Sequence, residues 1–157
     1  MLKRRDIMVT FVGMREDFGE ELSNLLELEY DALEAYEAAV NRLSDKEYKD
    51  KLSLFMQDHQ RHIEEISKLL ESRGLNAATG PSIGKQWVTK GKVVLANLVG
   101  DLTILRAMHS NEIDTNTAYE RMYSHDHHWP EAKDMLRRAL SDEKRHKEWL
   151  NQIIEDA

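Results

Sequence analysis

Cysteine is absent from this chain, and there are only 2 prolines and 7 glycines in 157 residues. Without thiols, the sequence excludes disulfides, thiolate zinc sites, iron–sulfur centres and cysteine nucleophiles. A metal could be held only by His, Asp and Glu, which suit Fe, Mn or Zn. The lack of cysteine also fits a cytoplasmic protein. No apolar stretch approaches the roughly 20 residues of a membrane span, so we expect no membrane partner.

Positive charge is also scarce: 22 Lys and Arg stand against 29 Asp and Glu, for a net charge of −7. A nucleic-acid partner is therefore not expected, and the basic residues 3–5 are too short a run to change this. Residues 1–16 predict a frayed N-terminal extension. They do not predict a signal peptide, because residues 15–17 are charged where a cleavage site needs small side chains.

Helix-forming residues dominate, so the sequence predicts one all-α domain over residues 1–157. Apolar residues recur at helical spacing and predict long helices over about 17–43, 46–73 and 102–123, and from Pro130 onward. Ser44 to Glu47 resembles a capping box, and Gly74 a left-handed cap. Residues 74–100 form a long crossover, with a short extra helix at about 85–98. Two antiparallel hairpins joined in this way predict a four-helix bundle.

Two matched sets of polar side chains lie on the apolar faces of these helices. In each set a Tyr follows a Glu by seven residues, and a His follows the same Glu by 33 or 34 residues. The sets are Glu29, Tyr36, His59 and His62, and Glu112, Tyr119, Glu143 and His146. Buried carboxylates and imidazoles cost several kcal/mol unless they are paired or bind a metal. The pattern therefore predicts a metal site at mid-bundle, with both tyrosines available to hydrogen-bond to it.

These motifs resemble the ferritin-like superfamily, and most closely its rubrerythrin-type bundles, over residues 17–155. Glu29-x-x-Ala32-x-x-x-Tyr36 is similar to the first-helix pattern and Glu143-x-x-His146 to the fourth. The segment 87–123 also resembles a bacterial ferritin-like domain family of unknown function.

The resemblance implies a ferritin-like fold and a centre of two irons per chain, with Mn or Zn as alternatives. Glu143 would bridge the metals, Glu29 and Glu112 would be terminal ligands, and His62 and His146 would each bind one metal. It also implies oxygen or peroxide as the substrate, and we expect a homodimer or larger homo-oligomer.

One position departs from the family pattern. The second-helix motif begins with Glu in the family, but His59 stands there, with Asp58 beside it. The helical wheel places Asp58 off the core face and favours His59 as the sixth ligand. The centre could then be asymmetric, hold a single metal, or use Asp58 after a local shift.

Other interpretations remain open. The polar residues could form a metal-free network in an assembly module, or each Glu could pair with a buried Arg or Lys. Iron storage in a shell is disfavoured because no fifth helix is evident. The cluster His125–His128 is expected to be a solvated turn, and His109 a surface residue.

Overall fold

The computed structural model describes residues 10–81 and 98–157, and this part of the chain is helical without strands. Its four long helices are α1 (Phe18–Arg42), α2 (Lys46–Ser72), α3 (Asp101–Tyr123) and α4 (Lys133–Asp156), and a 3₁₀ turn, Pro130–Ala132, precedes α4. The predicted all-α four-helix bundle is confirmed. The extra helix predicted over residues 85–98 falls almost wholly outside the described residues.

Helix ends follow local side-chain chemistry in the first hairpin. The Asp17 side chain accepts the Glu20 N–H and begins α1, and Asp45 does the same with Tyr48 for α2. The capping box predicted from Ser44 to Glu47 is therefore wrong, because Asp45 is the N-cap and Tyr48 stands at the third helical position, where a capping box needs Glu or Gln. Gly74, with φ +73, ends α2 in the left-handed region as predicted.

The position of α3 shows how the hairpins are joined. Asp101, its first residue, accepts the backbone N–H groups of Ser44 and Asp45, each at 2.8 Å. The start of α3 therefore lies beside the turn between α1 and α2, at the opposite end of the bundle from the end of α2. Consequently α3 runs antiparallel to α1. The α1–α3 pair packs more extensively than the α2–α4 pair.

The apolar core is divided into two clusters. Leu52, Phe55 and Leu105 belong to the cluster near the first turn, and Leu22, Ile66 and Met122 belong to the other. The six predicted metal ligands belong to neither cluster, and their helix positions lie between the two. The fold thus places a polar layer at mid-bundle with apolar side chains on both sides.

The segment before α1 is held against α3. The Thr10 N–H donates to Asp114 at 2.8 Å, Val12 is fully buried, and Arg121 donates to the carbonyl oxygens of Thr10 and Val12. For residues 10–16, the predicted frayed extension is therefore wrong, because α3 supplies polar partners for this backbone. Gly13 has φ +88, and a Cβ there would lie 2.6 Å from the Arg121 Cβ, so the close approach needs glycine.

His125 also differs from expectation. Its side chain packs edge-on against Phe18, its Nε2 lies 2.7 Å from the Arg15 carbonyl oxygen, and the residue is only 8% exposed. The solvated-turn prediction is thus wrong for His125. His109 is half-buried.

Within residues 10–81 and 98–157, no helix combines the length and the apolar character needed to cross a bilayer.

Candidate metal centre

All six predicted ligand side chains meet at the middle of the bundle. Each of the four helices contributes at least one of them, and none of the six residues is more than 1% exposed: Glu29, His59, His62, Glu112, Glu143 and His146. The sequence predicted that residues from both hairpins lie at one level of the bundle, and the structure has them there.

Their donor atoms form two overlapping groups. One group is Glu29, His59, His62 and Glu143, and the other is His59, Glu112, Glu143 and His146. Within each group, one donor atom per residue lies within 4.8 Å of the others. Each group therefore offers two carboxylates and two imidazoles, and the groups share His59 and Glu143.

His59 lies between the two terminal carboxylates. Its Nδ1 is 2.9 Å from Glu29 Oε2 and 3.5 Å from Glu143 Oε1, and its Nε2 is 3.4 Å from Glu112 Oε1. The Asp58 side chain, 15% exposed, lies outside both groups. Within the described residues, His59 therefore belongs to both donor groups and Asp58 to neither.

Two aspartates, Asp58 and Asp142, hydrogen-bond the outward-facing nitrogens of His146 and His62. Asp58 was weighed only as a possible ligand, and Asp142 was not anticipated. His146 Nε2 lies 2.8 Å from Asp58 on α2, and His62 Nε2 lies 2.9 Å from Asp142 on α4. An Nε2–H bonded to a carboxylate leaves Nδ1 as the nitrogen directed inward. The sequence signal was present, because each Asp stands four residues before a ligand histidine, but the bonds cross between helices.

Arginines tie these aspartates together at the surface. Arg61 donates to Asp58 at 3.1 Å and also bonds Asp142, and Arg145 donates to the same two carboxylates at 2.8 and 3.1 Å. This layer covers the seam between α2 and α4 and fixes the two aspartates that orient the histidines.

Hydroxyl groups surround Glu112 more closely than Glu29. Tyr36 on α1 donates to Glu112 Oε1, across to the other hairpin. The Thr115 hydroxyl, which the sequence analysis did not consider, donates to Glu143 Oε2 at 2.7 Å and lies 3.2 Å from Glu112 Oε2. Tyr119 is fully buried, but its hydroxyl has no hydrogen-bond partner.

Five donor atoms of the six residues have no hydrogen-bond partner. They are Glu29 Oε1, Glu143 Oε1, His59 Nε2, His62 Nδ1 and His146 Nδ1. An unsatisfied buried polar atom costs about 1–3 kcal/mol, so five in one place indicate a missing common partner. Carboxylate oxygens and imidazole nitrogens together fit a divalent transition metal. No Lys or Arg among the described residues is buried, so these carboxylates do not have the buried basic partner considered above.

Burial and mutual charge shift the acidities in the metal-free centre. Burial would raise the pKa of Glu29, but the adjacent His59 lowers it to about 2. Burial would lower the pKa of His62, but its hydrogen bond with Asp142 and the nearby carboxylates of Glu143 and Glu29 raise it to about 11. Burial and the Glu112 charge raise the pKa of Glu143 to about 7. A cation entering this centre would therefore compete with protons on the imidazoles.

The family model described as "Domain of unknown function (DUF892)" matches residues 13–157. The chain belongs to this family. No curated protein matches it.

Two solved structures share the fold of this DUF892 chain. One, from Bacillus anthracis str. Ames, is described as ferritin like, diiron-carboxylate proteins. It is 22% identical, with a TM-score of 0.71 over 87% of this chain and 94% of that one. The other is a conserved hypothetical protein from Mycobacterium tuberculosis, 17% identical, with a TM-score of 0.69 over 84% of this chain and 92% of that one. These similarities establish a ferritin-like helical bundle.

Proposed function

We propose that this DUF892 protein binds two iron ions per chain at the buried centre and reacts there with oxygen or peroxide. The observation that carries the proposal is the set of five unpartnered donor atoms in two overlapping groups. The diiron-carboxylate description of the Bacillus anthracis neighbour supports iron as the metal. Mn or Zn are alternatives with the same donors.

Each hairpin contributes residues to both donor groups. Glu29 and His62 would hold one ion and Glu112 and His146 the other, with Glu143 within reach of both. His59 belongs to both donor groups, but a neutral imidazole has one free nitrogen, so it would bind only one of the two ions. Iron bound in this way supplies one-electron redox chemistry with oxygen or peroxide. The protein residues keep bulk water out through the apolar clusters, and Asp58 and Asp142 orient the terminal histidines.

The enclosure favours a small oxidant, because none of the six residues is more than 1% exposed. The electron source, ferrous iron itself or another donor, lies outside the described contacts. Assembly into a homodimer or larger oligomer and a cytoplasmic location remain predictions.

A metal-free ferritin-like assembly module is the competing function. It is favoured by the His59–Glu29 hydrogen bond of 2.9 Å, which compensates a buried carboxylate without a metal. In that case the polar layer would serve to fix the helix register.

Metal analysis of the purified protein separates the two functions. The protein is prepared without a His tag and loaded with ferrous iron under anaerobic conditions, and bound iron is measured by mass spectrometry. We expect about two irons per chain, and a clear loss in Glu112→Ala and in the milder Glu112→Gln.

The matched control is Glu148→Gln, an exposed position on α4, which should retain the metal. Circular dichroism checks that each variant is folded. Absence of bound metal in the wild type, or metal content unchanged in both Glu112 variants, would support the metal-free module.

A further inference from the structure

The two metal positions differ at one pair of equivalent helix positions. Thr115 follows Glu112 by three residues on α3, and Ala32 follows Glu29 by three residues on α1. Both residues are only 1% exposed. The Glu112 side of the centre therefore has a hydroxyl group where the Glu29 side has a methyl group.

The carboxylates at the Glu112–His146 position are already hydrogen-bonded. Glu112 Oε1 accepts from Tyr36, and Glu112 Oε2 lies 3.2 Å from the Thr115 hydroxyl. The oxygen of Glu143 on this side, Oε2, accepts from Thr115 at 2.7 Å. A cation entering here must compete with these hydroxyl donors or turn the carboxylates away from them.

The Glu29–His62 position has free donor atoms. Glu29 Oε2 is bonded to His59, but Glu29 Oε1 has no partner, and neither does Glu143 Oε1. The inward histidine nitrogen has no partner at either position, so the two positions differ in their carboxylates and not in their imidazoles. His62 Nδ1 lies 3.4 Å from both Glu29 Oε2 and Glu143 Oε1. The Tyr119 hydroxyl, the counterpart of Tyr36, lies near Glu29 but makes no hydrogen bond of good geometry with it. Two carboxylate oxygens at this position are thus free to bind a cation without giving up a hydroxyl hydrogen bond.

We infer that the two positions fill in order, with Glu29–His62 binding a divalent metal first and more tightly than Glu112–His146. This inference rests on the proposed metal-binding function. Thr115 and Tyr36 act as positioning residues that weaken the second position by hydrogen-bonding its carboxylates. Because a hydrogen bond to a charged group contributes about 1.5–3 kcal/mol, we expect the two affinities to differ at least about tenfold.

Anaerobic titration with Co²⁺ tests the order without any activity measurement. Calorimetry and the visible spectrum of bound Co²⁺ should show two steps in the wild type. Glu29→Gln should remove the tight step, and Glu112→Gln should remove only the weak step. Two indistinguishable steps, or loss of the tight step in Glu112→Gln, would overturn the inference while leaving metal binding intact. No Co²⁺ binding at all would overturn the proposed function together with it.

Hydroxyl variants test the cause. Thr115→Ala should strengthen the weak step several-fold and leave the tight step unchanged, and Thr115→Ser should restore wild-type binding. Tyr36→Phe should also strengthen the weak step. The control Thr117→Ala removes a hydroxyl that donates to the Ile113 carbonyl oxygen of the same helix, and it should change neither step. A weak step unchanged in both Thr115→Ala and Tyr36→Phe would contradict the assigned roles.

Discussion

The first hairpin, α1–α2, and the second, α3–α4, carry the same framework with different chemistry. Asp58, Arg61 and His62 on α2 are matched on α4 by Asp142, Arg145 and His146, in the same order and spacing. The exchange of aspartates between α2 and α4 depends on both hairpins having this pattern. The repeated residues therefore specify the shape of the centre, and the residues that differ determine its charge and hydrogen bonding.

His59 is the main difference in charge. It occupies on α2 the position that Glu143 occupies on α4, three residues before the terminal histidine. The centre consequently has three carboxylates and three imidazoles. In the metal-free protein, His59 faces all three carboxylates within 3.5 Å, so it compensates charge that a metal would otherwise neutralise.

Replacing His59 by Glu, the residue at the equivalent position of α4, should change the stability of the protein more than any other substitution proposed for this centre. In His59→Glu, four carboxylates would share the buried layer and the Glu29–His59 pair would be lost. We expect metal-free protein to lose about 3–5 kcal/mol of stability, the usual cost of breaking a buried ion pair. A divalent metal should recover much of this loss, so the metal-dependent stabilisation in urea unfolding should exceed that of wild type.

His127→Glu is the matched control, because the His127 side chain is 59% exposed and lies in the turn before α4. It should change stability by less than about 0.5 kcal/mol, with or without metal. Metal-free His59→Glu as stable as wild type would show that His59 does not compensate the buried carboxylates.

The second prediction concerns Glu143, the carboxylate that His59 replaces in the other hairpin. Burial and Glu112 raise its pKa from 4.5 to about 7 in the folded protein. Below pH 4.5 Glu143 is protonated in both the folded and the unfolded state, so its burial does not reduce the free energy of unfolding. That free energy falls as the pH rises through 7, because the buried carboxylate must then ionise. Relative to wild type, metal-free Glu143→Gln should therefore gain stability between pH 4.5 and 8, on the order of 3 kcal/mol.

Urea unfolding in the presence of a chelator, at several pH values, measures this difference. Glu148→Gln, at an exposed position on the same helix, should run parallel to wild type over the same range. A constant difference between Glu143→Gln and wild type from pH 4.5 to 8 would mean that Glu143 is ionised throughout.

The sequence was sufficient to predict the bundle and the six central residues because both follow from helical periodicity. Glu29 and Glu112 stand out as charged residues on apolar faces, and their distances from the predicted turns place them at one level. Short turns then require antiparallel neighbours, which fixes most of the topology. Charged residues at otherwise apolar positions are therefore a strong signal even without coordinates.

Contacts between helices were harder to predict. Asp58 lies off the core face of its own helix, so the wheel gave no reason to connect it with His146 across the seam. Thr115 follows Glu112 by three residues and therefore shares its face of α3, but its hydrogen bond to Glu143 depends on the rotation of α3 against α4. The packing of Thr10 on Asp114 is equally non-local. Periodicity predicts which face of a helix is buried, but it does not predict which atoms meet there.

The exchanged aspartates give the third prediction and the smallest effect. Asp58→Asn removes the negative charge beside His146, which lowers the basicity of that ligand and loosens its orientation. We expect Co²⁺ affinity at the Glu112–His146 position to fall about tenfold, at the lower end of the usual range for such partners. Asp142→Asn should do the same at the Glu29–His62 position, through His62.

The crossing of the two effects is the informative result, because each aspartate lies on the opposite helix from the histidine that it orients. Asp134→Asn, at an exposed aspartate near the start of α4, controls for loss of charge and should alter neither binding step. If Asp58→Asn weakened the Glu29–His62 position, the aspartate would be acting through its own helix. If both variants weakened both steps equally, the aspartates would stabilise the seam as a whole and would not orient individual ligands.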